Sequence, residues 1–400
     1  MSIYENFGVQ PILNASGAVT RLGGAPMPEA VLQAFHDAAL QSVSLEQLQA
    51  AGSRRIAEAT GTEAGLVTAG AAASLTLGTA AILTGHDLSR MEQLPHCDGF
   101  PNEIVIAREQ RSGYDHAVRA AGAKLIEVGF NEIVANAGVR RTEAWEYEAA
   151  FNSNTAGVVY VLSPTSQPAM EQVVDCAHRH NLPVLVDAAG ELGDRNNLSA
   201  IAAFGVDLIA FSGGKHIRGP QSTGILCGRK DLVGAAAVQM LDMDDHLDLW
   251  DPPPELIDKQ KLAGIPRHGI GRSLKVSKEE IAALLTALDL FASGAYDNDL
   301  DSHRRKLETI TAELQSVAVS CKLVQNEGLG QLPLLEITLN QQNVGHTAFD
   351  VCRRLRNGSP PVYVSHGQLD QGKLMINPLC FSEDDAIRIA RRLCQELTVH

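Results

Sequence analysis

The chain has 400 residues, 45% of them hydrophobic and only 4% aromatic, and a formal charge of −14 at neutral pH. That length is ample for a sizeable core and for two or three domains, and few aromatics beside plentiful Ala and Gly favour packed helix–sheet layers over a β-sandwich. The acidic balance argues against a broad nucleic-acid surface, which needs clustered Lys and Arg.

The seven cysteines, at 97, 176, 227, 321, 352, 380 and 394, are scattered and never spaced C-x-x-C. They suggest neither a zinc site nor a disulfide framework, so a reducing, cytoplasmic compartment is expected. The N-terminus, Met1-Ser-Ile-Tyr-Glu-Asn6, lacks a basic region followed by an apolar one, so no signal peptide is expected. Ala64 to Gly85 carries no charge, but it is rich in Ala, Gly and Thr and would transfer poorly into lipid. A helix buried in protein is expected there, with no membrane partner.

Residues up to about Pro28 read as an extended, turn-rich segment, with Asn14-Ala-Ser-Gly17 and Leu22-Gly-Gly24. Helices are expected within 29–42 and 45–60, the second stopping at Gly61. Short apolar runs follow at 64–68, 103–107, 124–128, 157–162, 183–186, 207–211 and 224–227, separated by helix-compatible segments or turns. That alternation predicts an α/β domain over 29–250 with a mostly parallel sheet covered on both faces. From 251 to 276 the chain turns Pro-rich (Pro252-Pro-Pro254) and reads as a hinge or active-site segment. Ser277-Lys-Glu-Glu280 then fits a capping box at the start of a long helix. The remainder, 277–400, reads as a smaller C-terminal α+β domain, with strands at 332–339, 362–366 and 373–376 and a last helix from Glu383.

The most informative stretch is Ser212-Gly-Gly-Lys-His-Ile-Arg-Gly-Pro-Gln221, a lysine between glycines after the apolar run Val206-Asp-Leu-Ile-Ala-Phe211. An earlier apolar run ends on a carboxylate, Leu182-Pro-Val-Leu-Val-Asp187-Ala-Ala-Gly190. A lysine and an acid at two strand exits are what an enzyme needs to hold pyridoxal 5'-phosphate. The amine of Lys215 forms a Schiff base with the aldehyde, and Asp187 keeps the pyridine nitrogen protonated. Such a lysine needs a lowered pKa, to which burial or a neighbouring cation contributes, and His216 and Arg218 are close in sequence. Taken alone, Lys215 reads as a solvated surface lysine and Asp187 as a helix N-cap; together they favour the cofactor site. In Thr68-Ala-Gly-Ala-Ala-Ala-Ser74 a strand turns into a small-residue helix, where the N–H groups of Gly70, Ala71 and Ala72 can approach a phosphate. Ser212 offers that phosphate a hydroxyl. Small residues there also serve close helix–sheet packing, and no GxGxxG or P-loop is present.

Gln110 and His116 are both candidates for packing on the cofactor ring, and His116 fits equally an ordinary first-turn helix residue. For an anionic substrate, Arg218 and Arg272 are the natural clamps, because a guanidinium fork matches a carboxylate or phosphate, although either also fits a structural ion pair. Asp242, Asp244, His246 and Asp248 resemble a metal site in composition, but an exposed acidic loop is the expected reading, so no metal is called.

The small-residue turn, the acid and the lysine occur in the order of fold-type-I pyridoxal-phosphate enzymes. With Tyr4-Glu-Asn-Phe-Gly-Val-Gln-Pro-Ile-Leu-Asn-Ala-Ser-Gly17, Thr60-Gly-Thr-Glu63, the lysine segment and Gly269-Ile-Gly-Arg-Ser-Leu-Lys-Val-Ser-Lys-Glu-Glu280, nearly the whole chain resembles the selenocysteine-synthase-like group. Within it the chain is most similar to the D-glucosaminate-6-phosphate ammonia-lyase-like branch. The resemblance implies a fold-type-I transferase-like architecture, Lys215 as the cofactor lysine, Asp187 at the pyridine nitrogen, and Gly70, Ala71, Ala72 and Ser212 around the phosphate. It also implies that Arg267, His268, Arg272 and Lys275 approach an active site, that of a neighbouring subunit included, in a homodimer or larger homo-oligomer. The reaction it implies is α,β-elimination on a β-hydroxy amino acid or 2-amino-2-deoxy sugar acid, giving a 2-keto acid and ammonia. A racemase or an aldolase would use the same electron sink. Selenocysteine synthesis on tRNA and a DNA-binding regulator are disfavoured by the acidic charge and the absence of a basic N-terminal or helix-turn-helix extension.

Overall fold

The computed structural model describes residues 2–130, 140–243, 245–325, 332–339 and 345–398. In chain order the strands are β1 (Leu13–Ala15), β2 (Ala64–Thr68), β3 (Glu103–Ala107), β4 (Lys124–Val128), β5 (Thr155–Val161) and β6 (Val184–Asp187). They continue with β7 (Leu208–Ser212), β8 (Gly224–Gly228), β9 (Val319–Gln325), β10 (Pro333–Leu339), β11 (Val362–Val364) and β12 (Lys373–Ile376). Two compact units result: Met27–Ser293, and Met1–Pro26 together with Gly294–His400.

The larger unit is built on a sheet in the order β2-β8-β7-β6-β5-β3-β4. All neighbours run parallel except β8, which is antiparallel to both β7 and β2. The carboxyl ends of β2, β7, β6, β5, β3 and β4 therefore share one edge with the amino end of β8, as the predicted parallel sheet requires for a ligand crevice. Strands β2, β3, β7 and β8 are buried at every residue, which is why they read as apolar runs rather than as alternation. The uncharged stretch Ala64–Gly85, expected as a buried helix, divides into β2 and the helix Gly70–Thr84, which is buried along most of its length. It lies close on the sheet because its side chains are small: a methyl group on Gly78 would fall 3.2 Å from Leu185 Cδ1 and 3.3 Å from Leu208 Cδ1.

The helix Lys278–Ala292 starts with the predicted capping box, Ser277 Oγ accepting from Glu280 N at 3.2 Å. Its packing corrects the expected hinge at 251–276 and the domain start at 277. Lys278 Nζ donates to Ala38 O at 2.8 Å, and Leu285 lies 3.4 Å from where Gly52 would carry a methyl group. Contacts to the helices Glu29–Ala39 and Leu45–Thr60 hold it in the larger unit, so the division falls after Ser293.

In the smaller unit an antiparallel sheet β12-β10-β9 and a parallel pair β1-β11 pack with helices Leu300–Glu313, Ala348–Asn357 and Glu383–Leu397. The N-terminal segment, expected to stand apart, joins this unit through β1: Leu13 N donates to Pro361 O at 2.9 Å. Strands β1 and β9 were not anticipated. Among the described residues, no helix is long and apolar enough to cross a membrane.

Candidate active site

Strand β7 ends on Ser212, and the chain returns as β8 at Gly224, so the lysine segment is an excursion between two adjacent, antiparallel strands. Its neck is closed by Gly213 N donating to Thr223 O at 2.9 Å and Gly219 N donating to Gly213 O at 2.8 Å. The glycines are there for space: a methyl group on Gly213 would lie 2.2 Å from Thr223 Oγ1, and one on Gly214 would lie 2.4 Å from Gln221 Cα. Arg218 takes a left-handed φ of 61° and donates its N–H to Lys215 O at 3.1 Å, turning the chain back beneath the half-buried lysine.

Asp187 closes β6, the strand next to β7, and pairs in register with Ala210. Neighbouring strands lie only about 4.8 Å apart, so the two strand exits open side by side. Burial pushes the Asp187 carboxyl up, against the smaller opposing pulls of the Ala189 N–H, which donates to Oδ1 at 3.1 Å, and of the Lys215 charge. Burial also pushes the Lys215 amine down, with Asp187 and Glu191 partly restoring its proton affinity. The Lys215 and Asp187 charges thus act on each other from two adjacent strand exits.

Two findings differ from expectation. The first concerns the source of the lowered lysine pKa. Burial, and next the Lys215 charge, push the His216 ring down to about 4, so at neutral pH it is no cation and does not assist Lys215. Nor does Arg218 contribute; desolvation alone lowers the amine. The second is Glu191, which sequence reading missed. It lies four residues beyond the β6 exit, its carboxyl is pushed up by burial, and it feels the charges of both Lys215 and Asp187.

The helix Gly70–Thr84 presents its N-terminus at the same edge. Gly70 has a φ of 86°, and β8 runs so near that a methyl group on Gly224 would fall 2.4 Å from Gly70 C and 2.6 Å from Ala71 N. Ser212 is buried and paired with Gly224, while Gly70 and Ala71 are half-buried and Ala72 is exposed. The N–H groups of Gly70, Ala71 and Ala72 are first-turn donors with no partner inside their own helix. A desolvated amine, an acid beside it and a backbone with free first-turn N–H groups at one sheet edge fit pyridoxal phosphate, and the His216 Nδ1, buried without a partner among the described residues, fits a site awaiting a polar ligand.

The other predicted residues are placed differently. Gln110 is buried at the carboxyl end of β3, its amide accepting from Val161 N at 3.0 Å and donating to Gln167 O at 3.3 Å, so its polar groups serve the backbone around β5. His116 is exposed on the helix Asp115–Ala120 and pairs with Arg119 at 2.5 Å, the ordinary helical role. His268 and Arg272 both hold Asp242, the former at 3.2 Å, and neither makes a hydrogen bond or ion pair with Lys215, Asp187 or Glu191. Arg267 pairs with Glu92 at 3.5 Å. A cavity of about 790 Å³ in the larger unit is lined by Trp250, Leu256, Arg272, Lys275 and Glu280 among others, but by none of the lysine cluster. Of the acidic run, Asp244 lies outside the described residues; among those described, no group of three or more His, Cys, Asp or Glu could hold a metal ion.

Comparison with known proteins places the chain among relatives of known kind. A 5'-C-glycyluridine monooxygenase-decarboxylase from Streptomyces sp. is 30% identical over 99% of this chain and 92% of its own. The D-glucosaminate-6-phosphate ammonia lyase of Salmonella typhimurium (strain 14028s / SGSC 2262) is 26% identical over 100% of this chain and 98% of its own. A solved structure of D-glucosaminate-6-phosphate ammonia-lyase superposes with a TM-score of 0.81, at 26% identity, over 99% of this chain and 98% of that one. Residues 12–244 match the SelA family, L-seryl-tRNA selenium transferase, and with the lysine, acid and first-turn N–H groups in place the chain belongs to that family as a fold-type-I, pyridoxal-phosphate-dependent enzyme.

Proposed function

We propose that the chain catalyses α,β-elimination on a small β-hydroxy amino acid or 2-amino-2-deoxy sugar acid, releasing a 2-keto acid and ammonia. The observation that carries this reading is the desolvated Lys215 amine beside the strand exit that ends on Asp187, in a chain similar over its full length to an ammonia lyase. Lys215 would hold the cofactor, Asp187 would sit at its ring nitrogen, and Gly70, Ala71, Ala72 and Ser212 would cradle its phosphate. When bound, the cofactor supplies an electron sink that acidifies the substrate Cα–H. Lys215 is the base for that proton, because burial favours the neutral amine that a base must be. Arg218, half-buried in the same loop, would take the substrate anion, as a guanidinium fork suits a carboxylate or phosphate.

The family resemblance implies a homodimer or larger homo-oligomer. In that assembly the Arg267–Lys275 segment would serve the site of the second copy, as the family resemblance implies.

The test is a spectrum and a substrate panel. Purified protein loaded with cofactor should show a visible absorbance band that Lys215→Ala abolishes, with turnover falling by about 10²–10⁴ or more. D- and L-β-hydroxy amino acids and amino sugar acids are assayed for ammonia and keto acid, for inversion at Cα, and for oxygen uptake with carbon dioxide release. Inversion without ammonia would make the enzyme a racemase, and oxygen-dependent carbon dioxide release would align it with the Streptomyces relative instead.

A further inference from the structure

Hydroxide is a poor leaving group, so an elimination that expels a β-hydroxyl needs an acid at the departing oxygen as well as a base at Cα. Around Lys215 its own chain offers three titratable side chains among the described residues. Asp187 is committed to the ring nitrogen in the reading above. His216 is already deprotonated at neutral pH, its ring pushed down to about 4, so it has no imidazolium proton to give. Glu191 remains.

Its position is built, not incidental. The turn after β6 is fixed by Glu191 N donating to Ala188 O at 3.1 Å, by Ala189 N donating to Asp187 Oδ1 at 3.1 Å, and by Asn197 Nδ2 donating to Glu191 O at 2.7 Å. The main chain of residue 191 is therefore held on both sides, while its half-buried carboxyl makes no hydrogen bond or ion pair among the described residues. The charges it senses are those of Lys215 and Asp187, one on each of the two strand exits that form the site. Burial favours its protonated form, the state a proton donor needs.

We propose that Glu191 is the proton donor to the departing β-hydroxyl, working as a couple with Lys215. This rests on the elimination reading above. Lys215 takes the Cα proton, and the electron pair of that bond becomes the Cα=Cβ bond as Cβ–O breaks. The oxygen leaves as water with the Glu191 proton. The carboxylate so formed recovers a proton from the Lys215 ammonium, so both groups end the elimination as they began it and no outside co-reactant is consumed.

The experiment compares wild type with Glu191→Gln, both loaded with cofactor, on serine and β-chloroalanine of whichever configuration the wild type accepts. Chloride departs without a proton; hydroxide does not. In Glu191→Gln, serine elimination is expected to fall by about 10²–10⁴ while β-chloroalanine elimination stays within about tenfold of wild type. Exchange of the serine Cα proton with deuterated solvent, followed by NMR, should persist, because Lys215 is intact. A readout independent of turnover is the pH midpoint of the holoenzyme's visible band. A protonated Glu191 is neutral, so Glu191→Gln should leave that midpoint in place, and a shift to lower pH would reveal an ionised carboxylate and overturn the donor assignment. Equal loss on serine and β-chloroalanine, or full serine activity in Glu191→Gln, overturns the assignment. If the wild type eliminates neither water nor chloride, the elimination reading itself falls and takes this one with it, a result distinct from the other two.

Discussion

Lys215 owes its reactivity to the dryness of its loop rather than to a cationic neighbour, and His216 carries the same dryness as a measurable liability. A free histidine titrates near 6.5, but this one is pushed down to about 4, so between those values the unfolded chain binds the extra proton. The stability contributed by the neutral ring is complete above pH 6.5 and is lost as pH falls towards 4. By pH 4.5 the cofactor-free protein should have given up about 2 kcal/mol from this ring. His216→Gln should flatten that part of the stability curve, whatever its effect at neutral pH, as read by urea melts between pH 4.5 and 7. Lys215 and Asp187 were legible in the sequence because each follows an apolar run that can only be a strand. Glu191 was not, since an acid four residues past a strand exit carries no pattern of its own; only the fold shows which way the turn after β6 folds back. Nor did the sequence show that His268 and Arg272 pair with Asp242, 26 and 30 positions before them.

Backbone proximity sets the helix turn proposed to cradle the phosphate. Strand β8 reaches Gly70 at Gly224, where no side chain fits. Gly224→Ala would force apart β8 and the first turn of the helix Gly70–Thr84, at a cost of about 1–3 kcal/mol. Cofactor retention should weaken with it, because the displaced turn carries the anion donors; denaturant melts and equilibrium dialysis check the two effects separately. Most strands were readable to within a residue or two, since those buried on both faces are continuous apolar runs. The exceptions have physical causes. Strand β1 has three residues and exists by pairing with β11, some 350 positions away, while β9 alternates partly and fully exposed residues and shows no buried face to a reader.

The chain as a whole carries 47 acidic against 33 basic residues. For a member of a family described by its tRNA-directed relatives, that balance predicts no tRNA binding, because a polyanion is held by clustered cations. A gel-shift titration with seryl-tRNA at low salt should show no complex, and light scattering on the same sample should report a dimer or larger homo-oligomer. The misread boundary at 277 also belongs to this level: a capping box marks where a helix begins, but not which core receives its apolar face.

The excursion from β7 to β8 is sealed at its neck by the chain's own amides, between two strands that are themselves paired. The tether that carries the reactive nitrogen is consequently anchored at both ends to one rigid edge, independent of whatever is bound above it. An empty site should therefore reload without refolding, the amine waiting at the same address after each release.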